Sequence, residues 1–196
     1  MRKEDALEKN MITGKALFKK NSLLWDFSIM IILCFAGLIV KKLINPAANM
    51  VTDALHVPGG ISTAFSLMFL VVASGMTTRK WTASVMGSMQ ALAALSIGMV
   101  GSMGILMPLA YIVPGVFVDI VMAIPDKGIF VNKIKAFLAN ILSSVAAALV
   151  ANIFVFHLPF KPLLVYILLA SLSGAVCGFV AGTALESAKK ITRGKK

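Results

Sequence analysis

The chain is poor in the side chains that enzymes and metal sites depend on: of 196 residues, two are Cys, two are His and eight are Asp or Glu. Cys34 and Cys177 lie far apart in separate apolar runs, and neither has a second Cys or a His at ligand spacing, so both read as buried, inert thiols and no metal site is expected. The sequence contains no P-loop, no H-E-x-x-H, no G-x-S-x-G elbow and no C-x-x-C. Any ATP-driven step therefore belongs to another subunit. Asp119 is the only acid well inside an apolar run, with Asp26 near the end of another, and one carboxylate is thin for catalysis. Neither enzymatic activity nor a cofactor is expected. The short alternating segments of a membrane β-barrel are missing as well.

What the chain has in abundance is apolar surface. Hydrophobic residues make up 59% of it and the mean hydropathy is +0.91, against roughly 45–50% apolar usage in soluble domains. A water-soluble fold could not hide this much, so the composition points to an all-α integral membrane protein. The net charge of +11 does not indicate nucleic acid, because the basic residues fall between apolar runs and at the two ends, with no basic stripe interleaved with aromatics.

Six runs are long enough for the ~17–25 residues a helix needs to cross a bilayer: residues 23–40, 60–77, 81–98, 104–124, 136–156 and 162–184. The second and third are joined by TTRK and the third and fourth by MVGSM, which implies tight hairpins. With the amino terminus inside, all Lys and Arg except Lys41, Lys42 and Lys161 fall on the cytoplasmic side, so both termini are expected there. Residues 1–22 form a basic arm without the features of a cleavable signal. Leu7, Met11 and Phe18 in it share a helical face, which suits either an interfacial amphipathic helix or a disordered arm. Residues 23–184 then form a six-helix transmembrane domain and residues 185–196 a basic tail. The segment from Lys41 to Gly60, with Pro46 and Pro58, reads as one long outer loop, either a gating lid or a passive surface loop.

An acid in PGVFVDIVMAIP needs a partner or a function, since an unpaired carboxylate in an apolar medium costs several kcal/mol. Asp119 falls in the cytoplasmic half of the fourth run, at the depth of the Arg79–Lys80 turn and of Asn140. A structural or coupling group of Arg79, Lys80, Gln90, Asp119 and Asn140 is expected, with Arg79 or Lys80 as counter-ion. On the outer side, His56, Met99, Met103, Tyr111, Asn152, His157 and Tyr166 are candidates for a substrate pocket. They suit a flat, mostly apolar vitamin or cofactor, with a haem or corrinoid metal held by the histidines as an alternative cargo. Ala170, Gly174, Gly178 and Gly182 recur every four residues, as do Asn140, Ser144, Ala148 and Asn152. Such strips either pack the last two helices together or form a docking face for a partner.

Six spans, HVPGG ending the first outer segment, the TTRKW turn and LAYIVPGVFVDIVM together resemble the S component of an energy-coupling factor (ECF) transporter. That resemblance implies a multi-pass subunit of a prokaryotic plasma membrane. It would capture a vitamin or cofactor-like molecule near the outer face and work with a transmembrane coupling subunit and ATPase subunits. The first run, LLWDFSIMIILCFAGLIV, lacks the Ala-x-x-x-Ala strip with which many members meet the coupling subunit, so Ser28 or small residues of the second and third runs would have to substitute. The chain also lacks the second-position His of the nickel and cobalt members. A self-contained carrier or channel, and a small membrane enzyme or assembly factor, are the alternatives; the first would be expected to show internal repeats, which are not evident.

Overall fold

The computed structural model describes the backbone apart from residues 1–2, 59, 78, 99–100, 125–128 and 194–196, and the side chains apart from these and 3–22, 101–102, 129–131 and 189–193. All regular structure among the described residues is helical: α1 (Lys3–Ala54), α2 (Ile61–Met76), α3 (Thr82–Ser96), a 3₁₀ segment (Gly101–Leu106), α4 (Leu109–Met122), α5 (Ile129–Ala151) running into one π turn (Asn152–Phe156), and α6 (Phe160–Arg193). Four stretches are long and apolar enough to cross a membrane: Leu23–Ala54, Met103–Met122, Asn132–Phe156 and Phe160–Ala188. Trp25, Ile32, Leu43, Leu92, Val176 and Phe179 are each well over half exposed. An apolar exterior of this extent is a liability in water and costs nothing against lipid. The chain is a helical membrane protein.

The short helix α2 is the centre. Its 16 residues rise about 24 Å, less than the ~30 Å hydrocarbon core, and it packs against all five other helices. Ala64, Leu67, Leu70, Val71 and Ala73 have no exposed surface. Leu67, Leu70, Val71 and Ala73, with Met30, Cys34, Met86, Val118, Ala136, Ala139, Ala181 and Leu185, belong to the main core. The other helices follow one another around it, α1 against α3, α3 against α4, α4 against α5 and α5 against α6.

The expected outer loop is largely helix. α1 continues through Pro46 to Ala54, so residues 41–54 extend the first helix and only 55–60 connect it to α2. A proline inside a helix removes one backbone donor and crowds the carbonyl four residues back. Pro46 lies on the exposed side of α1, where these effects face outward, and Ala47 and Ala48, which favour helix, follow it at once. The Thr52 hydroxyl donates to the carbonyls of Ala48 (3.2 Å) and Asn49 (3.1 Å), and the Val57 N–H reaches back to Thr52 O (3.1 Å) to close the helix end. The expected outer loop at 41–60, whether gating lid or passive surface loop, is thereby corrected: residues 41–54 are helix and only 55–60 connect. The amphipathic pattern of Leu7, Met11 and Phe18 lies outside the described side chains.

Small residues set the closest helix contacts. At α5–α6, a Cβ on Gly174 would fall 2.9 Å from Ser144 Oγ, and one on Gly178 would fall 2.8 Å from Phe137 Cα. The buried Asn140 Nδ2 donates to Gly174 O at 2.9 Å across the same seam. The four-residue strips therefore pack α5 on α6. Replacing Gly178 by Leu should lower stability in detergent by at least about 1–3 kcal/mol, the usual cost of overpacking. Ala184→Leu, on the exposed face of α6, should change little. Equal unfolding midpoints for the two variants would contradict the close contact at Gly178.

Candidate functional site

A cavity of about 370 Å³ opens where α1, α2, α4, α5 and α6 converge. Lys41, Asn45 and Asn49, spaced four apart on one face of α1, form one wall together with Lys42. The start of α2 contributes Gly60, Ser62 and Thr63, and Met103, Met107 and Tyr111 come from α4 and the segment before it. Ala147, Ala148 and Ala151 of α5, with Phe156, Tyr166 and Ala170, complete an apolar floor.

Two tyrosines organise this site. Tyr111 is buried and its hydroxyl accepts a hydrogen bond from Lys41 Nζ at 2.8 Å. The same Nζ is 4.8 Å from the ring centroid, so the ammonium engages the hydroxyl edge rather than the ring face. Tyr166 stacks edge-on against Phe156, with centroids 6.1 Å apart and planes at 89°. Gly60 lets the chain turn over that ring: its φ is +138°, a region closed to most side chains, and a Cβ there would lie 2.8 Å from Tyr166 Cε2. The final glycine of HVPGG is thus a contact with the cavity wall.

Of the expected substrate residues, Met103, Tyr111 and Tyr166 line this cavity, whereas His56, Asn152 and His157 do not. Met99 lies outside the described residues. Both histidines are exposed, in left-handed turns that end helices (φ 54° and 46°). Asn152 shapes the turn after α5, its side-chain oxygen accepting from Leu158 N and its backbone carbonyl from His157 N, both at 2.8 Å. The polar lining residues outside the expected set are Lys41, Lys42, Asn45 and Asn49, assigned to a loop, and Ser62, Thr63 and Ser144. The 41/45/49 spacing places Lys41, Asn45 and Asn49 on one helical face, a signal that Pro46 obscures.

At the other end, the polar residues divide into separate ties. Asp119 is 8% exposed and accepts from the backbone N–H of Ala83 (2.9 Å) and Ser84 (2.8 Å) and from Ser84 Oγ (2.7 Å), with Ser74 Oγ at 3.5 Å. These N–H groups belong to the first turn of α3, whose own flanking residue, Trp81, is left-handed (φ 63°) and supplies no side-chain cap. Asp119 therefore caps α3 from the neighbouring helix, placing negative charge at the positive end of its dipole. Gly115, one turn earlier on α4, permits the approach: a Cβ there would lie 2.8 Å from Ala83 O. The expected counter-ion is engaged elsewhere. Arg79 Nε is 3.3 Å from Asp26 Oδ2, a charge contact without hydrogen-bond alignment, and it ties the α2–α3 turn to α1. Gln90 is wholly buried between Ser66 (3.4 Å) and the Cys34 carbonyl (3.5 Å), and Asn140 bonds α6. Asp119, Arg79 and Lys80 do line a second cavity of about 530 Å³.

No protein-family model, curated protein or solved structure matches this chain.

Asp119→Ala should destabilise the protein by about 3 kcal/mol, because it leaves two N–H groups and a hydroxyl without their charged acceptor, and Asp119→Asn should cost less. If capping accounts for the aspartate, the effects of Asp119→Asn and Arg79→Met add to within ~0.5 kcal/mol in a double-mutant cycle read by denaturant unfolding. A coupling energy above about 1 kcal/mol would instead make the two residues an ion pair.

Proposed function

We propose that this protein is the substrate-binding membrane subunit of an ECF-type importer. In this reading it captures a vitamin- or cofactor-like molecule from outside and depends on a coupling subunit and ATPases. The observation that carries the reading is the cavity walled by Lys41, Tyr111 and Tyr166, large enough for a small molecule and set in a chain with no nucleotide-hydrolysing motif. In this reading the chain crosses a prokaryotic plasma membrane six times; the distribution of Lys and Arg supports placing both termini in the cytoplasm, which turns this cavity outward. A 32-residue Leu23–Ala54 segment is about 48 Å long, so α1 outreaches the bilayer and lifts Asn45 and Asn49 to the outer rim. The second reading is a self-contained carrier. The cavity beside Asp119, lined by the end of α2, favours it, since a carrier needs access from both sides.

Topology and energy source separate these readings. In a background where the buried Cys34 and Cys177 are left in place, Asp53→Cys should react with an impermeant maleimide added to whole cells, and Lys80→Cys only after lysis. The opposite pattern turns the Lys41 cavity inward and removes the basis for capture. Vesicles containing the protein alone should show no concentrative uptake until coupling and ATPase subunits are added with ATP; accumulation driven by an ion gradient alone establishes the carrier.

A further inference from the structure

The Lys41 cavity is electrostatically one-sided. Lys41 and Lys42 are the charged side chains that line it among the described residues, and no Asp or Glu does so. The nearest acid along α1, Asp53, is exposed and outside the lining. The partner that Lys41 has, the Tyr111 hydroxyl, is a neutral acceptor and occupies one of three ammonium protons. Two adjacent cations at the mouth of a partly apolar cavity repel each other and attract any anion that enters.

Two independent features point the same way. α2 begins at this cavity, with Ser62 and Thr63 in the lining. Its flanking Gly60 offers no side-chain cap and its first turn holds no acid, so the positive end of the helix dipole is uncompensated there. Ser144, whose Oγ is buried with no hydrogen-bond partner, also lines the cavity. Asn45 and Asn49 continue the α1 wall, and Met107, Tyr111, Phe156 and Tyr166 supply an aromatic and apolar one.

We propose that the cavity binds a small organic anion, its carboxylate or phosphate held between Lys41, Lys42 and the start of α2 and its apolar body against Met107 and Tyr166. This rests on reading the cavity as the ligand site and adds the sign of the ligand's charge. A soluble metabolite or a lipid headgroup could supply that chemistry.

The test is thermal unfolding of the full chain in phosphatidylcholine nanodiscs, titrated with benzoate against benzamide and with phenyl phosphate against phenol. At least one anion should raise the unfolding midpoint saturably while its neutral partner does not. Lys42→Gln, which breaks no contact, and Lys41→Gln should each raise the half-saturating concentration tenfold or more. Lys161→Gln, which removes an exposed lysine outside the lining, should keep the response. A lysine-dependent rise seen in phosphatidylglycerol nanodiscs and with no soluble anion identifies the anion as a lipid headgroup. Equal effects of charged and neutral probes, an unchanged response in both lysine variants, or no response to any anion overturns the proposal. These arms need no coupling or ATPase subunit, so anion binding without ATP-driven uptake would sink the transporter reading and leave this one standing.

Discussion

A helix that starts inside an apolar protein brings backbone N–H groups for which it has no acceptors of its own. α3 starts in this way, after a left-handed Trp81 and with Ala83 fully buried, and the acceptors come from Asp119 on α4. Much of the architecture follows from delivering that carboxylate. The α4 backbone must come close to α3, so Gly115 faces the Ala83 carbonyl, and one turn further along α3 and one turn back on α4 Gly87 faces the carbonyl of Tyr111, where a Cβ would lie 2.6 Å away. The same register that seats Asp119 at one end of the seam fixes Tyr111 at the other, beneath Lys41. Capping chemistry at one end of the bundle thus positions a wall of the cavity at the other.

Between the ends lies a closed layer. Ser62 and Thr63 at the start of α2 face the Lys41 cavity, Ser74 and Thr77 at its end face the Asp119 cavity, and Leu67, Leu70 and Val71 between them are fully buried. Gln90 adds an amide to this layer at long hydrogen-bond distances. Asn140 bonds the Gly174 carbonyl through its nitrogen while its buried oxygen has no partner. Polar side chains in this interior join helices two or three at a time, and among the described residues these groups stay separate. Helix association without a hydrophobic drive depends on such close backbone seams and local ties.

The class of fold was legible because it depends on composition and run length, which local chemistry cannot hide. The glycine strip of α6 and the Asn–Ser–Ala strip of α5 were legible for a related reason, since spacing alone tells which residues share a face. The site was less so. Pro46 suggested a break, but an exposed proline deprives a helix of a single bond, and flanking alanines and neighbouring turns outweigh it. Only as a helix does this stretch bring Lys41, Asn45 and Asn49 onto one face. His56 and His157 drew attention by chemical type, yet both serve as left-handed helix ends. An acid at Asp119 implies a partner, and by charge alone that partner would be a cation. Backbone N–H groups of another helix leave no mark in the sequence, whereas Arg79 has Asp26, an acid brought near by the fold.

The unbroken run of α1 through Pro46 gives the protein a lever. Asp26 is held at its base by Arg79, and Asn49, at the cavity rim, is 23 positions farther along the same helix. That is a rigid arm of about 35 Å, so a tilt of about 5° at the base carries the rim sideways by about 3 Å. A push applied beside Asp26 and Arg79 therefore reaches the cavity mouth enlarged, as a displacement comparable to one layer of atoms, without any hinge between the two.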